Sequence, residues 1–369
     1  MKLLFAIKFL HDAPGGAEKV LCTLCNKLVE RGHDVSILSY DKKGAKPFYQ
    51  LNPRIKLIQL NLFAKKTTLL NTIERMRGLR KKTIEINPDI VIGFMHSMFV
   101  PLAFALIFLK KKIIASEHIV IEHYTKKKFE FLLLILSSFF VRYFSVINSF
   151  IKSKYPYFIR NKMVEIPNPI SQSNSKKCNP KDLRSKKLIL AIGRLDEQKN
   201  HKLLIDAFSL ISDKYKNWNL TIYGKGILYF ELKKQINALK LKDRVFIKSP
   251  IKKIGLAYES ASFKVLPSNY ESFGLVIAES MSYGLPVIAF EDCPNTQFLI
   301  EDKINGLLVA GNSYEEKVKN LAKDIDSLIV NEDLFIQLSK NALATNLLHF
   351  DINTIVQKWE NLLKKAMIS

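Results

Sequence analysis

Two carboxylates eight positions apart, Glu271 and Glu279, bracket the stretch of this chain best suited to chemistry. Between them Ser272-Phe273-Gly274 reads as a turn, and Leu275 to Met281 as the start of a buried helix. Gly284-Leu285-Pro286 stops that helix, and Val287–Phe290 is a short apolar strand. The free N–H groups and dipole of a helix start attract anions, phosphate above all. Glu271 stands just before that start. Glu279 lies about two turns in, roughly 12 Å further at about 1.5 Å per residue. One carboxylate is thus placed to meet a sugar on one side of a diphosphate, and the other a ribose on the far side. The same spacing also describes a solvated glutamate pair on an ordinary helix, and spacing alone does not choose.

Three further loci carry chemistry of a matching kind. Leu188–Ile192 reads as a strand and His201–Ser212 as a helix, so Arg194 and Lys199 fall on a strand-to-helix loop. Arginine offers a planar fork and lysine a mobile point charge, two cations suited to a diphosphate. Near the N-terminus, Gly15 and Gly16 open a helix after the strand Leu3–Phe9, and the absence of a Cβ lets backbone approach a ligand there. This is not the Gly-x-Gly-x-x-Gly dinucleotide fingerprint, and a plain tight turn explains it equally. Lys112 to His118 is a strand ending in the polar tip Ser116-Glu117-His118, and such tips face the ligand crevice of doubly wound sheets. A lone histidine is more often structural; His118 follows directly on a strand end.

These residues need two βαβ systems to hold them. The 369 residues, 48% hydrophobic and 25% charged, are enough for two domains with proper cores. The formal net charge is +23, and residues 1–170 hold 28 basic and 12 acidic side chains. That basic half suits an anionic partner, be it nucleic acid, anionic headgroups or a phosphorylated substrate. In the helical segment Thr67–Ile86, Arg77, Arg80 and Lys81 are spaced to share a face, flanked by Arg75 and Lys82. The face fits a lipid diphosphate, an anionic bilayer or simply water. Val91–Leu109 is interrupted by Gly93, His96 and Pro101, so it reads as a strand and a helix rather than a membrane span. Phe129–Phe144 is a second apolar segment, either core helix or a surface dipping into a bilayer, with basic residues at both ends favouring the latter. Cys22 and Cys25 form a C-x-x-C inside a helix without a second pair, and read as packing residues. The polar stretch 171–187 reads as a linker.

Together, Glu271…Glu279, Gly193-Arg194-Leu195…Lys199-Asn200, Gly15-Gly16-Ala17-Glu18 and Ser116-Glu117-His118 resemble the retaining, nucleotide-sugar-dependent glycosyltransferases of family 4. The likeness covers nearly the whole chain and lies close to bacterial enzymes that build lipid-linked oligosaccharides or surface polysaccharide. It implies an α/β fold with two Rossmann-like domains facing a central cleft, of GT-B type. Residues 1–170 would bind the acceptor, 171–350 the nucleotide sugar, and the helix within 351–369 would cross back to the first domain. It further implies transfer from a nucleotide-diphosphate sugar, expected to be a UDP-sugar, to a hydroxyl of a polyprenyl-diphosphate-linked glycan. His118, Glu271, Arg194 and Lys199 would be catalytic. Gly15, Gly16, Lys248, Ser272, Phe273, Gly274, Leu275 and Glu279 would join Arg194, Lys199 and Glu271 around the donor. Glu117, His118, Arg75, Arg77, Arg80 and Lys81 would serve the acceptor.

With two cations at the phosphates no metal and no other cofactor is expected. The expected place is the cytoplasmic face of the membrane, on anionic lipid. Two departures from the family pattern bear on the base: Lys248, where relatives often have glycine, and Asp292-Cys293-Pro294-Asn295-Thr296-Gln297, where many have a glycine-rich loop. Rival readings are an epimerase or phosphorylase of the same fold, or a non-catalytic nucleotide-sugar or lipid-binding module. No aromatic-basic motif supports nucleic-acid binding.

Overall fold

The computed structural model describes residues 1–11, 15–62, 68–119, 121–124, 127–170, 179–251, 253–271 and 273–368. The chain divides into two compact units, Met1–Pro169 with Ile352–Ser369, and Ile170–Asp351.

The first unit begins with β1 (Lys2–Ile7), α1 (Gly16–Glu30), β2 (Asp34–Ser39), β3 (Lys56–Gln59) and α2 (Leu69–Ile86). It continues through β4 (Ile90–Phe94), α3 (His96–Ala105), β5 (Lys112–Glu117), α4 (Lys128–Ser138) and β6 (Tyr143–Val146). Two short helices, α5 (Ser149–Lys154) and α6 (Tyr157–Arg160), precede β7 (Met163–Glu165). Its strands run parallel in the order β3-β2-β1-β4-β5-β6-β7. Central strands are buried on both faces, so they read as continuous apolar runs such as Leu3-Leu4-Phe5-Ala6-Ile7. Thr68 caps α2, its side chain accepting Asn71 N–H at 3.3 Å, and Asn87 ends the helix in the left-handed region ahead of Pro88.

The second unit contains α7 (Pro180–Ser185), β8 (Leu188–Ile192), α8 (His201–Ile211), β9 (Asn219–Tyr223), α9 (Tyr229–Ala238), β10 (Val245–Lys248) and α10 (Gly255–Glu259). Then come β11 (Phe263–Leu266), α11 (Leu275–Met281), β12 (Val287–Phe290), β13 (Gly306–Val309), α12 (Tyr314–Val330) and α13 (Glu332–His349). Its strands, also parallel, take the order β10-β9-β8-β11-β12-β13. In each sheet the order reverses beside the first strand, the doubly wound pattern of the Rossmann type.

The final helix, α14 (Ile352–Ile368), belongs to the first unit. Ile352, Ile355, Val356, Trp359, Leu362, Leu363 and Ala366 repeat at helical spacing and are buried. Trp359 stacks on Phe94 at 6.3 Å, and Arg31 Nη1 donates to Glu360 at 2.7 Å.

Two expectations need correction. Residues 180–185 of the supposed linker form α7, because Asn179 accepts the Lys181 N–H and Leu183 anchors the turn in the core. Phe129–Phe144 is not one segment: α4 ends at Ser138 and Tyr143–Val146 is a sheet strand.

Candidate active site

In doubly wound sheets ligands gather beyond the carboxyl ends of the strands where the order reverses. In the second unit that point lies between β8 and β11. The loop after β8 carries Arg194 and Lys199; the loop after β11 carries Glu271, Phe273 and Gly274. Several bonds lace the two loops together. Gln198 Nε2 donates to the Tyr270 carbonyl at 3.0 Å, Asn269 N to the Gln198 carbonyl at 2.8 Å, and Asn269 Nδ2 to the Glu197 carbonyl at 2.8 Å. At their centre Lys199 Nζ donates to Glu271 Oε1 at 2.5 Å, with the two side chains only 14% and 9% exposed. Arg194 is exposed and held by Asp196 at 3.2 Å and Gln198 Oε1 at 2.6 Å.

Glycine is required at two places. Gly274 precedes α11 with φ of 75°, in the left-handed region that a side chain resists. At Gly224 a Cβ would run into the Gly193 carbonyl, so the loops after β8 and β9 interlock only without one. Gly193 N then donates to Tyr223 O, and Leu195 N to Lys225 O, both at 3.0 Å. Phe273 is buried and packs edge-on against Phe350 at 5.7 Å, while Leu275 is half-buried. Ser272 lies outside the described residues. Lys248 is exposed at the end of β10, its ammonium 5.8 Å from the Tyr223 ring centroid.

Glu279 is buried on α11, where Tyr258 Oη donates to its Oε2 at 2.8 Å. The unusual loop 292–297 supports its neighbour: Asn295 takes φ of 69°, a conformation asparagine tolerates, and its Nδ2 donates to the Glu271 carbonyl at 2.8 Å. Sequence reasoning missed Tyr258, Asn295 and Lys264. The last is fully buried in β11, and burial pushes its pKa down to about 7. The available signal was a lysine inside the apolar strand Phe263-Lys264-Val265-Leu266. His201, which opens α8, is held neutral by burial, its pKa lowered to about 4.

In the first unit the order reverses between β1 and β4. Gly15 and Gly16 open α1 in the loop after β1, and Glu117 ends β5 with His118 directly after it. Glu117 is turned inward. Its Oε1 accepts the N–H groups of His118 and Ile119, both at 2.9 Å, and its Oε2 accepts the Tyr124 and Tyr155 hydroxyls, both at 3.1 Å. Burial raises its pKa to about 7 against the pull of these bonds. The carboxylate therefore shapes the turn at His118, with two donors already on each oxygen. Burial likewise depresses His118, to about 4, so its imidazole is neutral. Ser145 donates to Ser116 Oγ at 2.9 Å and Ser116 stands 2.8 Å from His118 Nε2. The relay that satisfies all three has Ser116 donating to Nε2 and leaves the proton on Nδ1. The ring stacks on Phe94 at 5.0 Å.

The basic residues of α2 do not all present their charge to solvent, although Arg77 and Arg80 line one groove beside Phe104 and Phe108. Arg75 is buried with its guanidinium 5.5 Å from the Tyr40 ring centroid. Arg80 Nη1 donates to the carbonyls of Ala105 and Ile107 at 2.9 and 3.0 Å, closing the end of α3. Arg77 and Lys81 are the exposed pair. An Asp-x-Asp triplet, which the metal-free reading of the sequence takes to be absent, is present as Asp324-Ile325-Asp326; it lies inside α12, where Asp326 accepts Lys214 and Tyr215 at 2.6 Å each. Among the described residues no group of three or more His, Cys, Asp or Glu side chains is arranged to hold a metal ion.

Comparison with known proteins agrees with this fold. Residues 174–345 match the family described as "Glycosyl transferases group 1", and residues 14–171 match "Glycosyltransferase Family 4". An uncharacterized glycosyltransferase of Haemophilus influenzae is 30% identical over 371 residues, spanning 98% of this chain and 99% of its own. A Campylobacter jejuni protein named GalNAc-alpha-(1->4)-GalNAc-alpha-(1->3)-diNAcBac-PP-undecaprenol alpha-1,4-N-acetyl-D-galactosaminyltransferase is 29% identical over 370 residues, 99% of both chains. Among solved structures, Anabaena HepE in complex with UDP and glucose superimposes with a TM-score of 0.79 at 19% identity, covering 99% of this chain and 100% of its own. With two doubly wound sheets of GT-B type and a paired-glutamate loop joined to a cationic loop, this chain belongs to glycosyltransferase family 4.

Proposed function

We propose that the protein is a retaining glycosyltransferase that moves a hexosyl or N-acetylhexosaminyl group from a UDP-sugar to a hydroxyl of a polyprenyl-diphosphate-linked oligosaccharide. The observation that carries this reading is the 2.5 Å contact of Lys199 with Glu271, which joins the cationic loop to the Gly274 turn at the switch point of the second sheet. Negative charge gathers on the β-phosphate as the sugar departs. Lys199 and Arg194 stabilise it as fixed cations already in place, which is electrostatic catalysis needing no metal at the phosphates. Glu271 then accepts hydroxyls of the donor sugar and Glu279, steadied by Tyr258, those of the ribose. A front-face route, in which the donor phosphate helps deprotonate the acceptor, suits this set of cations and hydrogen-bonding carboxylates. His118, neutral and with Nδ1 protonated, donates a hydrogen bond to the sugar or the acceptor, and Glu117 holds the turn that aims it. Arg77 and Lys81 are the α2 cations free to meet the acceptor's diphosphate.

The name of the Campylobacter relative supports a lipid-linked acceptor, and that of the Anabaena structure supports UDP. A surface of the first unit supports membrane contact. Phe129, Leu132 and Leu136 form an exposed stripe at helical spacing on α4, continued by Phe139 and Phe140, with Lys127, Lys128 and Arg142 at its ends. Among the described residues no helix is long and apolar enough to cross a membrane, so the contact would be peripheral, on anionic lipid of the cytoplasmic leaflet. A panel of UDP- and GDP-sugars, offered with polyprenyl-diphosphate-linked glycans, tests the reading: one UDP-sugar should be consumed only with acceptor present, and NMR of the product should show the donor's anomeric configuration retained. An inverted product, or a donor isomerised without acceptor, would refute it.

A further inference from the structure

Lys264 is a fully buried charged residue of the second unit that the donor reading leaves without a task. It stands in β11 between Phe263 and Val265 with no exposed surface, and among the described residues its Nζ has no hydrogen-bond partner. A buried ammonium without an acceptor is costly and is retained only where something opposes the cost. Three charged groups act on it: Glu271 from the loop after β11, Glu279 from α11, and Lys199 from the loop after β8; Lys264 in turn lowers the pKa of His201 at the start of α8. Burial and Lys199 drive its proton off, while the two carboxylates draw it on, and the balance falls at about 7.

Lys199 is committed to Glu271 at 2.5 Å. On the donor reading, on which this inference rests, the same ammonium turns to a diphosphate and the same carboxylate to sugar hydroxyls. Glu271 then loses its neutralising partner in a place only 9% exposed. We infer that Lys264 is the replacement counter-charge, a positioning residue that takes a proton from solvent as the diphosphate draws Lys199 away, and so keeps Glu271 and Glu279 counterbalanced and aimed without itself touching the donor. It acts through the carboxylates, and donor binding is thereby coupled to proton uptake.

Calorimetric titration with UDP at about pH 8, repeated in buffers of different ionisation enthalpy, counts the protons. At that pH the terminal phosphate is already ionised, its second pKa being about 6. His201, pushed down to about 4, stays neutral throughout. The wild type should take up on the order of half a proton per UDP. Lys264→Met should take up none and bind UDP more weakly. Lys264→Gln should do the same and serves if the Met variant fails to fold. Lys264→Arg, charged at every pH used, should take up no proton yet keep affinity near wild type, which a merely structural lysine would not predict. Equal uptake by the wild type and the variants, or no uptake by the wild type, overturns the inference and leaves the donor reading standing. A wild type that does not bind UDP overturns the donor reading and the inference with it.

Discussion

Lys199→Met keeps the stem of the side chain and removes its charge, which isolates the contact on which the site is built. Lys199 and Glu271 are 2.5 Å apart and 14% and 9% exposed. That exposure places them with buried pairs, where removing one partner costs about 3–5 kcal/mol, and not with surface pairs worth under about 1 kcal/mol. Glu271 has little freedom to escape to water, because Asn295 Nδ2 holds its carbonyl at 2.8 Å. Lys264 offers the stranded carboxylate a second cation, so the lower end of that range, about 3 kcal/mol, is the expected loss. Glu271→Gln alone strands Lys199 at a similar cost, while the double variant leaves neither charge. A double-mutant cycle should therefore return a coupling of about 2 kcal/mol or more. The assay is urea unfolding followed by fluorescence. The chain has two tryptophans, Trp218 in the second unit and Trp359 in the first, so a Trp359→Phe background reports the second unit alone. A coupling below about 0.5 kcal/mol, the level of an exposed pair, would refute the argument that these loops are joined by a buried ion pair.

Other outcomes follow from the same geometry. Glu117 has its pKa raised to about 7, so between the ordinary carboxylate range and that value the folded protein keeps a proton that the unfolded chain loses. Stability should then fall as pH rises through this window by up to about 3 kcal/mol, and Glu117→Gln should remove that slope in unfolding followed by Trp359 fluorescence. Gly274→Ala forces a side chain into a left-handed residue and against Ile277 and Leu299; a loss of about 1–2 kcal/mol, with a larger fall in kcat/KM, would be measured by unfolding and by transfer assay. Phe129→Ser with Phe139→Ser should weaken co-sedimentation with anionic vesicles at least about tenfold, since each ring forfeits burial worth about 1.5–3 kcal/mol, and should leave UDP affinity unchanged.

What was legible in the sequence tracks what periodicity and backbone chemistry control. Parallel strands buried on both faces appear as unbroken apolar runs, so β1, β8 and β12 are readable, and Gly274 and Gly284-Leu285-Pro286 mark the ends of α11. Pairing across the fold is not local and was not legible. The spacing of Arg75, Arg80 and Lys81 along α2 shows which residues share a helix face, but not that Tyr40 covers one arginine and the end of α3 engages another. Glu117 looks like a ligand-facing carboxylate because it ends a strand; the two tyrosines that turn it inward come from positions 124 and 155. Lys264 stood in plain view inside β11, and a strand pattern gives no reason for it until Glu271 and Glu279 are brought alongside.

The central claim is that the Arg194–Lys199 loop and the Gly274 turn together grip a nucleoside diphosphate. The most direct test is equilibrium binding of UDP to the wild type and to Lys199→Met combined with Arg194→Ala, with folding checked by circular dichroism. The account predicts that the wild type binds and that the double variant loses about a hundredfold or more in affinity, roughly 3 kcal/mol for two charge-assisted contacts. A folded double variant with wild-type affinity for UDP would contradict it.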